Sequence, residues 1–282
     1  MPSYVTPRTL TQAIAALSSE PTIIAGGTDI YPSLVGRDVP ADVLDVSRLD
    51  ELRGITHDAG WTRFGASTTW SEVAGAALPP DFRALQQAAL QIGAVQVQNA
   101  GTIAGNICTA SPAGDSIPVL LALDAVVELC GTNGTRQIAL ADFVTGYRTT
   151  AKRADEIVVA ILVPDADGCR ASAFVKHGGR SHLVISMVMV AAAITRDESN
   201  AIVDARVAVG ACSPVAVRLR SVERRIVESS EASDAAGPVR VTGADLGDLS
   251  PIDDVRCTGR YRLRVVPHLV QRAVAECEDH ER

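Results

Sequence analysis

Apolar positions along this chain recur with the helical period in some stretches and as short β-branched runs in others. Leu10, Ile14 and Leu17 stand at helical spacing behind Thr9, and Thr9 with Gln12 spells a T-x-x-Q capping box, so a helix is predicted that stops before Pro21. Residues 22–25 form a short apolar run, predicted as a buried strand, that leads into Gly26-Gly27-Thr28-Asp29, and Pro32 suggests a helical turn after it. Residues 42–46 and 61–66 read as strands, separated by the turn-rich His57-Asp58-Ala59-Gly60. Asp81 is placed to cap a helix carrying Phe82, Leu85, Ala89 and Ile92, with Gly93 as its stop.

A second glycine-punctuated stretch follows, in which Gly101 and Gly105 bracket Thr102, Ile103 and Ala104. Asp115, Ser116 and Pro118 then read as the first turn of a helix running through Leu120, Leu121 and Leu123, since proline is tolerated where the N–H groups lack intrahelical partners. Residues 126–129 and 136–140 flank Gly131-Thr132-Asn133-Gly134 as a hairpin, and residues 156–163 make a β-branched strand ending at Pro164. Asp165-Ala166-Asp167-Gly168 is the best candidate for a domain boundary. Beyond it, residues 171–176 and 183–194 read as strands, and Ala205, Val207 and Val209 alternate as another. Leu219, Val222 and Ile226 fit a helix, residues 231–237 a surface loop, and residues 261–275 an amphipathic helix that Pro267 should kink or delay.

Composition narrows the class. The 282 residues, 47% hydrophobic and 21% charged, suffice for a large core and two domains of an ordinary globular protein. A net charge of −7 argues against a general nucleic-acid or anionic-membrane surface. The longest apolar run, residues 183–194, is too short to span a bilayer, and the start shows no charged segment followed by an apolar one. No membrane insertion and a cytoplasmic location are therefore expected.

Cysteines at 108, 130, 169, 212, 257 and 277 are too scattered for an iron–sulfur or zinc cluster, and no HExxH occurs, so no metal site and free thiols are expected. Neither GxGxxG nor GxxxxGK[ST] is present. A glycine-rich turn feeding a helix can present N–H groups to a phosphate. Taken singly, though, each of the two turns reads first as a plain connection.

Together they carry a resemblance. Thr22-Ile23-Ile24-Ala25-Gly26-Gly27-Thr28-Asp29 resembles the first phosphate loop of the flavoprotein (medium) subunits of the molybdenum hydroxylases, the xanthine dehydrogenase and carbon monoxide dehydrogenase family. About 75 residues later, Asn99-Ala100-Gly101-Thr102-Ile103-Ala104-Gly105-Asn106 resembles its second loop, usually N-x-G-T-I-G-G-N, and Ala110-Ser111-Pro112-Ala113-Gly114-Asp115 continues the likeness. It extends to Gly210-Ala211-Cys212-Ser213-Pro214 and to the helix beginning at Tyr261-Arg262.

The resemblance implies an α+β fold: a two-subdomain FAD-binding domain of the PCMH/VAO-like type over residues 1–167 (subdomains about 1–55 and 56–167). A smaller α/β C-terminal domain over 168–282 would follow. It implies that Ile23, Ile24, Ala25, Gly26, Gly27, Thr28, Asp29 and Ile30, with Thr102, Ile103, Ala104, Gly105 and Asn106, wrap the FAD diphosphate, chiefly through backbone N–H groups. Asp115 would bond a hydroxyl of the cofactor, although a helix cap explains the same residue. Ile92 and Leu162 would lie against the flavin, and Lys176 near it, favouring a reduced, anionic ring; ordinary core and a solvated lysine are the plain alternatives.

No protein catalytic residue is implied, because the flavin performs the redox chemistry. The implied partners are a small [2Fe–2S] subunit and a large molybdopterin subunit, in a dimer of heterotrimers, with NAD, oxygen or a quinone as electron acceptor.

Departures from the pattern also inform. Ala104 stands where glycine is usual, so positive φ is costly there. His177-Gly178-Gly179-Arg180-Ser181-His182 replaces a segment that often holds paired arginines and an aspartate. Gly-Thr-Asp in the first loop favours the xanthine-dehydrogenase-like side over the carbon monoxide dehydrogenase type. The absence of clustered cysteines argues against the 4-hydroxybenzoyl-CoA reductase type. The alternatives from other classes are a cofactor-free scaffold and a self-contained flavin oxidase.

Overall fold

The computed structural model describes residues 3–37, 42–231 and 241–278. Three sheets organise it. The first is parallel, with Asp42–Asp45 between Ser3–Val5 and Thr22–Ile24, joined by the helix Leu10–Ala16. Thr9 caps that helix by accepting from Gln12 N–H at 3.2 Å, but the Gln12 side chain accepts from the Arg8 N–H at 2.9 Å, so the reciprocal half of the box is shifted by one residue.

The second sheet is antiparallel, in the order Ile55–Asp58, Trp61–Gly65, Glu156–Pro164, Val126–Gly131, Gly134–Ala139. Its central strand, Glu156–Pro164, is buried on both faces, which is why it reads as an unbroken apolar run. Residues 57–60, predicted as a turn, instead put His57 and Asp58 in a strand and confine the turn to Ala59 and Gly60, at φ 50° and 82°.

The third sheet is an antiparallel meander of Cys169–His177, Val188–Arg196, Ile202–Gly210 and Val217–Arg218. The helices Arg220–Glu231 and Gly259–Glu278 pack against it, and so do Arg83–Gln91 and Ser116–Ala122 from the chain before it. Helices on both sides explain the strand Val188–Arg196, whose residues 188–194 are an unbroken run of Val, Met, Ala and Ile with no polar face.

Four local expectations are corrected. Pro267 lies inside the continuous helix Gly259–Glu278 and does not delay its start; Val266, Leu269, Val270, Ala273 and Val274 bury against the sheet and outweigh the lost backbone bond. The strand predicted over 183–194 begins only at Val188, because the residues before it are committed elsewhere: Leu183 O accepts from Arg180 and Ser186 Oγ donates to Asp115. Asp81 caps nothing: it pairs with Arg170 at 3.3 Å, and Ser172 Oγ accepts from Ala84 N–H at 3.0 Å in its stead. Of the glycine-punctuated stretch 101–105, only Gly101 and Thr102 are a connection, between the helices Val95–Ala100 and Ile103–Thr109; Ile103 to Gly105 already belong to the second helix. Of the loop predicted over 231–237, Glu231 ends a helix and the remainder lies outside the described residues.

Candidate functional site

The two glycine loops meet in one cleft of about 490 Å³. The first leaves the carboxyl end of Thr22–Ile24. Strand alternation turns Ile23 and Ala25 into the cleft and Ile24 away from it, into the interior. Gly27, at φ +67°, takes the left-handed conformation that glycine adopts cheaply, and the Tyr31 ring fills the place of a Cβ. Gly26 needs its missing side chain for another reason: the Ala100 carbonyl occupies that position. Gly101 is as tightly held, with Thr28 Oγ1 at 3.2 Å and Val97 O at 2.9 Å from where its Cβ would stand. The loops are interlocked, backbone on backbone.

They differ in what they offer a ligand. Among the described residues, the N–H groups of Gly27, Thr28 and Asp29 donate to no protein acceptor. In the second loop the amides from Ile103 to Asn106 are spent. Ile103 N–H donates to Thr68 O at 2.9 Å, Ala104 N–H to Ala66 O at 3.2 Å, Gly105 N–H to Thr102 Oγ1 at 3.1 Å and Asn106 N–H to Thr102 O at 3.0 Å. Residues 103–109 are a capped helix, so the expected grip by their backbone amides is not what the structure provides. This loop offers the Thr102 hydroxyl and the side-chain amide of Asn106, whose Oδ1 accepts from Ser116 Oγ at 2.7 Å. Ala104 lies in that right-handed helix, so its methyl group meets no backbone strain.

Two recesses adjoin the cleft and share lining residues with it. One, about 270 Å³, has walls from Ile23, Ala25, Val46, Ala104, Ile157 and Val158, with Lys152 and Ser67 as polar members. The Ser67 Oγ is buried with no hydrogen-bond partner, an acceptor and donor left for something else. The other, about 360 Å³, shares Ile92 and Asn106 with the cleft and reaches Asp115, Lys176 and Val184. There Lys176 Nζ donates to Asp115 Oδ2 at 2.6 Å and to Gln91 O at 3.2 Å, while Ser186 Oγ donates to Asp115 Oδ1 at 2.6 Å. Burial pushes the Asp115 carboxyl above its ordinary value, opposed by the Lys176 charge and by bonds from Lys176 and Ser186. Asp115 precedes the helix Ser116–Ala122 but makes no capping bond, so its carboxylate serves Lys176 and Ser186.

Of the predicted residues, Ile23, Ala25, Gly26, Gly27, Thr28, Asp29, Ile30, Ile92, Thr102, Gly105 and Asn106 line the cleft, and Ala104, Asp115 and Lys176 line its recesses. Ile24 and Ile103 are turned into the interior. Leu162 does not reach the cavity: it pairs with Arg63 and Val126 further along the central strand, and Ile157 and Val158, nearer that strand's start, do the lining. Arg148 was not anticipated. It enters the cleft from the turn between Val144–Gly146 and Thr149–Thr150 and pairs with Asp29 through two bonds of 2.9 and 3.1 Å. No local pattern links positions so far apart in sequence; an arginine at the tip of a short hairpin is the only signal. With Lys152 and Lys176, it supplies cations to a chain whose net charge is −7.

Free amides, interlocked glycines, an orphan hydroxyl and these cations fit an elongated ligand with a doubly charged middle and flat ends, as FAD has. Among the described residues no cluster of His, Cys, Asp and Glu suits a metal ion, and no helix is long and apolar enough to cross a membrane.

Comparison with known proteins agrees. Residues 1–166 match the family described as the FAD binding domain in molybdopterin dehydrogenase, and residues 173–277 the CO dehydrogenase flavoprotein C-terminal domain. The chain is 36% identical over 206 residues to the nicotinate dehydrogenase FAD-subunit of Eubacterium barkeri, covering 70% of each. It is 29% identical to the putative xanthine dehydrogenase FAD-binding subunit XdhB of Escherichia coli K12, over 97% of this chain and 95% of that one. A Cu,Mo-CO dehydrogenase chain shares the fold, with a TM-score of 0.87 over 99% of both chains at 22% identity. The chain belongs to the FAD-binding, medium-subunit family of the molybdenum hydroxylases.

Proposed function

We propose that this chain is the electron-relaying FAD subunit of a xanthine-dehydrogenase-like molybdenum hydroxylase. A small partner would deliver electrons from [2Fe–2S] clusters, a large molybdopterin partner would hydroxylate the substrate, and the assembly would be a cytoplasmic dimer of heterotrimers. When held by the residues of the cleft, FAD would supply both one-electron and two-electron redox chemistry, which would join an iron–sulfur chain to NAD, oxygen or a quinone. The observation that carries this reading is the continuity of the cleft with its recesses, from the orphan Ser67 hydroxyl past the two loops to the Lys176–Asp115 pair.

In this reading Gly27, Thr28 and Asp29 present amides to the diphosphate, with Thr102 and Asn106 adding side-chain bonds from the other wall. Ile92 offers an apolar face to the flavin, and Lys176, held by Asp115, sets a fixed positive charge beside it. Residues 1–167 would form the FAD-binding domain, in subdomains of about 1–55 and 56–167, and 168–282 the C-terminal domain that supplies Lys176. The Gly-Thr-Asp of the first loop and the likeness to XdhB favour the xanthine-dehydrogenase type over the carbon monoxide dehydrogenase type.

The test is to purify the chain from its own source by an affinity tag. A yellow complex with two further subunits, whose flavin absorption bleaches on adding the partner's substrate, is the expected result. A colourless complex, or flavin turnover by this chain alone, would overturn the assignment.

A further inference from the structure

Arg148 occupies a conformation that its side chain makes costly. Its φ is 53°, in the left-handed region, where a Cβ crowds the backbone. Two contacts hold it there. Its N–H donates to Ala110 O at 3.0 Å, at the carboxyl end of the helix Ile103–Thr109, and its guanidinium crosses to Asp29 in two bonds of 2.9 and 3.1 Å. One residue thereby ties the helix of the second loop to the first loop.

The ion pair itself is a weak reason for this arrangement. Its members are 48% and 43% exposed, and a pair so open to water contributes little to stability. Strained residues persist where the fold over-determines them, and they gather at ligand clamps. The backbone of Arg148 is fixed while its planar fork stays open to water at the cleft, and that fork matches a phosphate as well as it matches a carboxylate.

We propose that Arg148 is the clamp on the FAD diphosphate. Asp29 is then the competing anion: it holds the guanidinium over the cleft and limits how tightly the phosphates are held. This rests on FAD occupying the cleft. Exchanging one carboxylate for a phosphate needs no backbone movement, because the head alone changes partner.

The two residues of the pair then have opposite effects, which a merely structural ion pair would not show. The full-length chain, freed of flavin, is titrated with FAD by flavin fluorescence over a range of salt concentrations. Arg148→Gln should weaken FAD binding about 10- to 100-fold, the scale of a lost charged hydrogen bond, and flatten its salt dependence. Asp29→Asn should tighten FAD binding several-fold and keep the salt dependence. Thermal unfolding without FAD, measured for each variant, separates loss of the clamp from loss of the fold. If Asp29→Asn weakens or leaves unchanged the binding of FAD, or if Arg148→Gln leaves affinity and salt dependence as they were, the clamp is wrong while the cofactor reading stands. Failure of the unsubstituted chain to bind FAD would overturn both.

Discussion

Gly26 and Ala100 pack backbone against backbone, the carbonyl of Ala100 standing where a Cβ on Gly26 would be. Neither side can give. Gly101 N, beside the same position at 3.0 Å, is itself bonded to Val97 O at 2.7 Å, so the second loop is anchored to the helix before it. Gly26→Ala is therefore expected to destabilise by about 2 kcal/mol or more through overpacking, and to lower the FAD retained on purification. Gly75 makes a control: nothing lies within 4 Å of its Cβ position, at the end of the helix Trp70–Gly75. Gly75→Ala should leave thermal stability unchanged or raise it by about 0.5–1 kcal/mol. Equal melting temperatures for the two variants would show that the loops do not interlock.

The Lys176–Asp115 pair yields a prediction in which pH sets the size of the effect. Both side chains are 6% exposed, so removing one charge strands the other. Lys176→Met should cost about 3–5 kcal/mol at neutral pH, the usual scale for breaking a buried pair. Burial already pushes the Asp115 carboxyl up, and without the lysine nothing but Ser186 opposes that. A carboxyl whose pKa is raised by folding destabilises the native state once it must ionise, so the penalty should be absent in acid, build as pH rises from the unfolded value of about 3.9 towards the raised one, and level off above it. Denaturant unfolding of Lys176→Met at pH 5 and pH 8 checks this. A penalty independent of pH would mean that Asp115 stays charged without its partner. The double variant Lys176→Met, Asp115→Asn should recover most of the loss.

The parts of this site that were legible in the sequence are local ones. Glycines at the end of a strand announced the first loop, and the β-branched run of Glu156–Pro164 announced the central strand. What escaped depends on partners far along the chain. Arg148 and Asp29 are 119 positions apart, and nothing near either residue encodes the other. The family resemblance puts Leu162 at the flavin, but the strand's register turns Val158, not Leu162, to the recess beside the cleft. The glycines of the second loop suggest a turn with free amides, but the N–H groups of Ile103 and Ala104 go to the Thr68 and Ala66 carbonyls, and those of Gly105 and Asn106 to the helix cap at Thr102. Pro267 misled in the opposite sense, since packing of its neighbours overrode a local preference.

Cysteine reactivity gives a footprint of the cleft. Cys108 is exposed and lines both the cleft and the recess beyond it, while Cys169 is exposed at the start of its strand, away from both. Desolvation pushes the Cys108 and Cys212 thiols up to about 11 and Cys277 to about 12, so thiolate is scarce at all three; access separates them, since Cys212 and Cys277 are buried while Cys108 opens to the cleft, where it should react more slowly than Cys169. Brief treatment of the folded, flavin-free chain with a maleimide should label Cys108 and Cys169 and spare Cys212 and Cys277, as read by peptide mass spectrometry. Saturating FAD should protect Cys108 and leave Cys169 as reactive as before. Undiminished labelling of Cys108 under FAD would locate the cofactor elsewhere.

Asp254 makes the C-terminal domain sensitive to acid in a definable window, and it faces the fully buried Arg262. Its guanidinium donates to Ile252 O at 2.9 Å and Ala211 O at 2.6 Å, and pairs with Asp254 at 2.7 Å. Burial alone would raise the Asp254 carboxyl, but the N–H groups of Arg256 and Cys257, the Arg256 side chain and the Arg262 charge outweigh it and bring it from 3.8 to about 2. A carboxyl lowered by folding stabilises the native state at pH values above its unfolded pKa, and that contribution is lost as pH falls through the folded one. The shift corresponds to about 2 kcal/mol. Asp254→Asn should therefore cost that amount at any pH above about 4 and progressively less between pH 4 and pH 2. Urea unfolding of both proteins across that range, compared as a difference so that other carboxylates cancel, tests it. A difference that stays constant down to pH 2 would show that Asp254 acts through its shape and hydrogen bonds, with its charge contributing nothing.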